Sequence, residues 1–423
     1  MKQKICFFIS IGLISLIMNS CKNETPSASP PPPKGWISVG GPVSAGNGST
    51  MDFAIDANDN VYVAYRNDYD YSFSTPNQAT VKKYENGGWV AVGGESFSDG
   101  SLLYINIALD STGVPYVGYA DVDNGWKAYV MKYTGNTETD NDAKPNDGWE
   151  YVGSPGFSES NAYYLDFVID SADNLYAAYN DPAYSQKLTV MKYTGNTTTD
   201  ADSVPNDGWE YVGSPGFSIG IAGSPKLAFD SNNIPYIIYR DDVDGHATVK
   251  KYQGGSWQIV GSQGFSGGDV YFNWIAFDSQ DNLYASFRIT GHGKAVVMRY
   301  TGNTTTDSDV NLNDGWEFVG EGPGLSPGQA PFTSIAFDSN DTPYLAFRYE
   351  DNGHRTTVMK YTGNAESDND ATVNDGWEFV GKAGFAPEWS DPCRIIFDSQ
   401  DIPYVGFGDG GNGSKATVMK FYE

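Results

Sequence analysis

The sequence predicts an all-β fold, a seven-bladed β-propeller of four-stranded blades, and three observations carry that prediction. An apolar segment ending in aspartate recurs seven times, on Asp56, Asp110, Asp170, Asp230, Asp278, Asp338 and Asp398, at spacings of 54, 60, 60, 48, 60 and 60 residues. Each period holds four short strand-like segments. They are complete at residues 316–320 (Trp-Glu-Phe-Val-Gly), 335–339 (Ile-Ala-Phe-Asp-Ser), 343–348 (Pro-Tyr-Leu-Ala-Phe-Arg) and 357–361 (Thr-Val-Met-Lys-Tyr). Four strands in a period of this size read as one propeller blade. The chain also opens on a lone Trp36 segment and ends on residues 416–421 (Ala-Thr-Val-Met-Lys-Phe) with no Trp segment after them. The N-terminal strand is therefore available to complete the last blade, which leaves the ring no open sheet edge.

Ahead of the repeats, residues 1–20 read as an export signal. Lys2 and Lys4 supply the charged start and residues 5–18 an apolar core too short for a membrane span. Cys21 follows the small residue Ser20, the arrangement of a bacterial lipoprotein signal, so the expectation is lipidation at Cys21 and an envelope location, at the outer membrane or cell surface. Residues 21–35 include Pro26 and the run Pro30–Pro33, an extended spacer. The propeller is assigned to residues 36–423.

A formal charge of −27 and a pI near 4.3 argue against a nucleic-acid partner, whose phosphates call for basic surface. Aromatic residues make up 14% of the chain, too many for an acidic disordered segment. With Cys21 lipidated, Cys393 has no partner, so burial rather than a disulfide framework has to hold the fold. Membrane attachment is expected through the lipid anchor only.

Within a blade the segments alternate as strands do. Ile335 and Phe337 fall on one face and Ala336 and Asp338 on the other, and the polar run 338–343 forms the turn to the next strand. No stretch beyond residue 21 carries a capped 3.6-residue period, so almost no helix is expected. Placing the Asp-ending strand innermost sorts the loops. Those before the inner strand and those between second and third strands share one face, the top; the Asp turns and the loops into the Trp strands share the bottom.

Candidate functional residues are those that depart from the repeat. At the top of the inner strands the blades carry, in order, Asp52, Asn106, Asp166, Lys226, Trp274, Ser334 and Arg394, a ring of unlike groups at the channel mouth. The second strands end on Arg66, Ala120, Asn180, Arg240, Arg288, Arg348 and Gly408. This arc of arginines suits carboxylates or sulfates unless each pairs with a neighbouring acid such as Asp241, Asp242, Glu350 or Asp351. His246, His292 and His354 fall in the same top loops, too far apart by blade geometry for a shared zinc. Tyr104, Tyr163, Tyr164, Tyr271, Phe272, Phe332, Trp389 and Trp126 crowd the top, as sugar-stacking surfaces or as filling between blades. Underneath, four acidic loops hold Asp140, Asp142 and Asp147; Asp200, Asp202 and Asp207; Asp307, Asp309 and Asp314; and Asp368, Asp370 and Asp375. Oxygen at that density suits Ca²⁺, although the spacing is not that of an EF-hand and Asn-Asp-Gly also makes a turn. No cofactor is required by any of these features.

The phrases Trp-x-x-Val-Gly, Phe-Asp-Ser-x-Asp-x-Pro-Tyr and Ala-Thr-Val-x-Lys-Tyr resemble those of bacterial surface β-propellers, kelch-like or sialidase-like in appearance. The resemblance spans residues 36–423 and implies the fold. The Ser-x-Asp-x-Gly-x-Thr-Trp boxes and the nucleophile pair of sialidases are not recognisable. Seven-bladed polysaccharide lyases would cast His292, Tyr271 and Arg288 as proton-transfer and charge-neutralising groups. The expectation is therefore a non-enzymatic module binding a glycan or a surface protein on its top face, the alternative being a lyase or hydrolase acting on acidic glycans.

Overall fold

The computed structural model describes residues 34–48, 50–67, 77–139, 144, 147–198, 204, 207–305, 314–320, 322–364 and 375–423. Signal peptide, Cys21 and most of the spacer lie outside the described residues, as do the acidic-loop positions Asp140, Asp142, Asp200, Asp202, Asp307, Asp309, Asp368 and Asp370.

Alternation of apolar and small side chains builds seven antiparallel sheets of four strands each. Blade 1 covers residues 51–91, blade 2 102–151, blade 3 163–211, blade 4 222–259, blade 5 270–318 and blade 6 334–379. Blade 7 takes three strands from residues 390–422 and its outer strand from Gly35–Ser38, which pairs Trp36 with Phe421. The expected one-plus-three closure is thus present. Helix among the described residues is confined to three single turns of 3-10 type, at 182–184, 350–352 and 410–412.

The repeated phrase has a physical reason at each position. Each of the seven repeat tryptophans sends its indole N–H to a backbone carbonyl of the preceding blade: Trp149 to Val92 at 2.8 Å, Trp209 to Val152 at 2.9 Å, and, across the closure, Trp36 to Val380 at 2.8 Å and Trp89 to Val39 at 3.0 Å. Burying an indole donor without such a partner is costly, so the bond fixes the spacing of neighbouring blades. Five of the seven, Trp36, Trp149, Trp209, Trp257 and Trp316, are also stacked from one side by a phenylalanine. Phe97 lies on Trp149 and Phe157 on Trp209, both at 4.1 Å between centroids, and Phe385 lies on Trp36 at 4.0 Å. The residue after the stacking ring matters too. The hydroxyls of Ser98, Ser158, Ser218, Ser266 and Ser326 accept the N–H of the first or second residue of the third strand in their neighbourhood, at 2.9–3.0 Å.

The Asp-Ser turn is a second seam, on the bottom face. Its aspartate caps its own turn, as Asp170 does by accepting the Ala172 and Asn174 N–H groups, each at 2.9 Å. The serine reaches to the next blade. Ser111 bonds Asp173, Ser171 bonds Asn233, Ser231 bonds Asp281, Ser279 bonds Asp341, Ser339 bonds Asp401, and Ser399 bonds Asp59 across the closure. The acceptor sits in the left-handed region in each case, for example Asp59 at φ 63° and Asp341 at φ 61°, a conformation Asp and Asn adopt more readily than bulkier residues. At the seventh junction, between blades 1 and 2, the two positions are Ala57 and Gly113, and the clasp is missing from both sides at once.

Candidate functional site

The top face is where the blades stop resembling one another. Each inner strand rises to the channel mouth, and in blades 2 to 5 and 7 its pairing with the second strand is interrupted by a bulge, for instance between Tyr163 and Asp166 and between Tyr271 and Trp274. The bulge turns on a residue in the left-handed region: Tyr104 at φ 56°, Tyr164 at 55°, Ser224 at 49°, Phe272 at 59°, and, at the same place in blade 6, Phe332 at 60°. Four of these five are large aromatic residues, for which positive φ is strained. The conformation throws the rings towards one another over the mouth. Tyr104 and Tyr164 meet at 5.6 Å, Phe272 and Phe332 at 4.4 Å. Tyr164 (47% exposed), Tyr271 (42%) and Trp389 (41%) leave much of their surface to solvent.

The arginine arc joins this aromatic surface. The guanidinium of Arg240 lies 4.9 Å from the Tyr271 ring centre and that of Arg348 4.8 Å from Phe332. With the Phe272–Phe332 contact they make a continuous run, Arg240–Tyr271–Phe272–Phe332–Arg348, along blades 4 to 6. The two end arginines are held by carboxylates. Arg240 binds Asp269 at 2.8 Å and also Asp242; Arg348 binds Glu350 at 2.5 Å and also Asp391. Asp269 lies in the loop before the inner strand of blade 5 and Asp391 at the top of the inner strand of blade 7, so each arginine straps two blades together. Arg288 instead meets neutral acceptors, the Gly293 carbonyl at 3.2 Å and Gln329 Oε1 at 3.3 Å, and Arg66 donates to the Leu102 carbonyl at 3.3 Å. Pairing with acids, the alternative fate of the arc, applies to Arg240 and Arg348. A second platform lies on blades 2 and 3, where Trp126 meets Tyr163 edge-on at 5.6 Å.

At the channel mouth the ring of unlike residues divides in two. Asp52, Asn106 and Asp166 are buried rather than open to water, and each accepts the backbone N–H of the next blade's inner strand: Ile107 at 3.1 Å, Phe167 at 3.1 Å and Leu227 at 2.8 Å. Ser334 does the same for Ile395 at 3.2 Å. Lys226, Trp274 and Arg394 carry no acceptor and break the pattern. Lys226 bonds Asp166 at 2.6 Å and lies 4.9 Å from the Trp274 ring centre; Arg394 lies 5.3 Å from the same ring and 3.4 Å from Asp52. The Trp274 indole thus reaches past blade 6 to a residue of blade 7.

The histidines are not brought together. His246 Nδ1 faces the Gly264 carbonyl at 3.3 Å, His292 Nδ1 accepts the Lys294 N–H at 3.1 Å, and His354 pairs with Glu350 of its own loop. Burial, with Lys294 beside it, holds His292 below the usual imidazole value. Among the described residues no group of three His, Cys, Asp or Glu is placed to hold a metal ion. The described acids of the bottom loops make turns: Asp147, Asp207, Asp314 and Asp375 accept the N–H of Trp149, Trp209, Trp316 and Trp377 at 2.7–2.9 Å. Four grooves of about 290–430 Å³ also lie on the bottom, each between adjacent blades; one is lined by Tyr116, Lys132, Glu150 and Asp173.

Neither the bulge nor the clasp was visible as such in sequence. Recurrence of Gly-Phe-Ser at 156–158, 216–218 and 264–266 is the signal that would have exposed the ring stacked on each tryptophan.

The sequence matches no family model and no curated protein. Solved structures of similar shape include a protein of unknown function from Dyadobacter fermentans, at 10% identity and TM-score 0.46, covering 92% of this chain and 99% of that one. An α-L-arabinanase from Penicillium chrysogenum, complexed with arabinobiose, has 10% identity and TM-score 0.43 over 92% and 98% of the two chains. A family 25 polysaccharide lyase, an ulvan lyase, has 12% identity and TM-score 0.43 over 72% and 80%. Likeness this distant is one of general form, and nothing about this chain's ligand follows from it.

Proposed function

We propose that the propeller is a non-catalytic binding module for a glycan, carried at the cell envelope on a lipid anchor at Cys21, with the top face as its binding surface. The observation that carries this reading is the set of aromatic residues held in left-handed backbone at repeat-equivalent places around the mouth. Strain of about 1–3 kcal/mol per residue persists only where the surroundings impose it, and such positions gather at ligand sites. Flat rings offer the apolar faces of sugars a stacking surface. The Arg240–Asp269 and Arg348–Glu350 pairs beside them offer paired donors and acceptors to hydroxyl groups, with geometry fixed before binding.

A non-catalytic role is supported by how the perturbed groups are distributed. Burial pushes up the carboxyls of Asp121, Asp181, Asp241 and Asp409, but these are one repeat position in four blades, not a single centre that breaks the symmetry. The test is a glycan array probed with wild type and with the double variant Phe272→Ala/Phe332→Ala, with reducing-end release followed on every sugar that binds. The reading expects retention of a sugar by wild type, its loss in the variant and no turnover. Equal binding by the variant would remove the top platform as the site, and sustained release of new reducing ends would replace the module with an enzyme.

A further inference from the structure

The channel-mouth ring narrows the class of sugar. Residues on the inner strand alternate between N–H groups that pair with the second strand and N–H groups that point away from it, into the channel. Asp278 N–H bonds the Asn282 carbonyl and Asp338 N–H bonds the Thr342 carbonyl, so by steps of two Trp274 and Ser334 are laddered, and Ile275 and Ile335 point outwards. The same parity, set by the Asp56 N–H on the Asn60 carbonyl, turns Phe53 outwards. In four blades the equivalent amide is capped by the preceding ring residue, as Asp52 caps Ile107. For Ile275, Ile335 and Phe53 the preceding ring residues are Lys226, Trp274 and Arg394, which cannot accept, and among the described residues no side chain reaches these amides.

Donors therefore accumulate on one side of the mouth. They are the Ile275 and Ile335 amides and the indole N–H of Trp274, flanked by two cations, the Lys226 ammonium with Asp166 at 2.6 Å and the Arg394 guanidinium with Asp52 at 3.4 Å. Each of these carboxylates divides its oxygens between a cation and an amide, Asp52 between Arg394 and Ile107 and Asp166 between Lys226 and Leu227, and neither is bonded to the Ile275 or Ile335 amide. Buried donors without acceptors are costly, and charge-assisted bonds to an oxyanion are the strongest way to satisfy them. We infer that this half of the mouth is an oxyanion site, and that the glycan taken by the top face carries a carboxylate or a sulfate ester that enters it between blades 4 and 7. The inference rests on the glycan reading for its ligand, while the donor cluster stands apart from the aromatic run.

The test is calorimetric titration of wild type and Arg394→Gln with three oligosaccharide series of equal length: neutral, uronic-acid and sulfated. A net charge of −27 repels anions at long range, so the titrations are run at about 0.15 M salt, where the screening length is about 8 Å. At least one anionic series is expected to bind about tenfold or more tightly than the neutral one, and Arg394→Gln is expected to bring it down to the neutral level; which series responds separates carboxylate from sulfate. Equal affinity for neutral and anionic sugars, insensitive to Arg394→Gln, would overturn the oxyanion site and leave the glycan reading standing. Should no sugar bind, the glycan reading fails and sodium sulfate alone decides. At constant ionic strength it should shift the Ile275 and Ile335 amide signals of the ¹⁵N-labelled wild type, and an absence of shift would overturn the site. That measurement needs only the wild type, so it also decides if Arg394→Gln does not fold.

Discussion

Replacing Phe272 by glycine should leave a more stable protein than replacing it by alanine, the reverse of the order in an ordinary strand. Phe272 sits at φ 59°, where an L side chain costs about 1–2 kcal/mol that glycine does not incur. Glycine loses more chain entropy on folding, about 0.5–1 kcal/mol relative to alanine. Both substitutions forfeit the contact with Phe332 at 4.4 Å, worth about 0.5–1.5 kcal/mol, so that part cancels between them. The difference left runs from about 0 to about 1.5 kcal/mol, centred on about 0.75 kcal/mol in favour of glycine. Urea unfolding resolves it as a shift in midpoint at unchanged slope. The control is Tyr271, one residue earlier and outside the left-handed region, where alanine should win by a similar margin. Both Phe272 variants should lose glycan binding, since both lose the ring. Alanine equal to or better than glycine at Phe272 would show that the bulge does not impose its backbone on that side chain, and with it would go the argument that strain marks the site.

Three further outcomes follow from the seams between blades. Ala57→Ser with Gly113→Asn should rebuild the missing clasp in the image of Ser171 and Asn233; a double-mutant cycle in urea should show favourable coupling of a few tenths to about 1 kcal/mol, and coupling of zero would remove the clasp as a source of stability. Hydrogen bonds from Ser399, Ser231 and Ser279 hold Asp59, Asp281 and Asp341 below the ordinary carboxyl value of 3.8, so their contribution is present above about pH 4 and is lost as pH falls through the lower folded values. The triple Ser→Ala variant should accordingly lose less stability than wild type between about pH 5 and about pH 3, and parallel curves would place the acid sensitivity elsewhere. Trp209→Phe keeps the stack on Phe157 but strands the Val152 carbonyl, and a loss of about 1–3 kcal/mol in unfolding free energy is expected; a change below about 0.5 kcal/mol would mean the indole bond is not what spaces the blades.

The parts of this molecule legible in sequence are those whose cause is local. Trp209 is recognisable because its neighbours alternate as a strand, and Asp170 because its turn closes within four residues. The closure was legible from a missing strand at one end and a spare one at the other. What stayed hidden depends on partners a blade away. Ser171 reads as a turn residue until Asn233 is seen 62 positions on. Pairing of Arg240 with Asp242 and of Arg348 with Glu350 is legible from their nearness in sequence, but Asp269 and Asp391 arrive from the next blade. Similarly, Tyr164 and Phe272 read as residues of the top loops, whereas the inner strand runs on through them by way of a bulge that the sequence does not announce.

Departures from the repeat are of two physical kinds, and the difference between them separates drift from site. On the bottom, Ala57 and Gly113 remove a clasp from both sides together. The Ala57 N–H that remains belongs to an exposed residue open to water, Gly113 at φ 83° relaxes where its counterparts are strained, and the junction gives up only the bonds themselves. On the top, Lys226, Trp274 and Arg394 replace acceptors while the amides they would have capped remain. Each such substitution forgoes about 1 kcal/mol that the Asp52, Asn106, Asp166 and Ser334 positions keep. Four aromatic residues nearby hold a backbone conformation that glycine would adopt without strain. A fold relieved of function would be expected to settle such positions as it settled the bottom junction, by losing both halves of an interaction. The uncapped halves are the amides of Ile275, Ile335 and Phe53, on blades 5, 6 and 1, and they are all donors; an acceptor supplied from outside the chain is what would complete them.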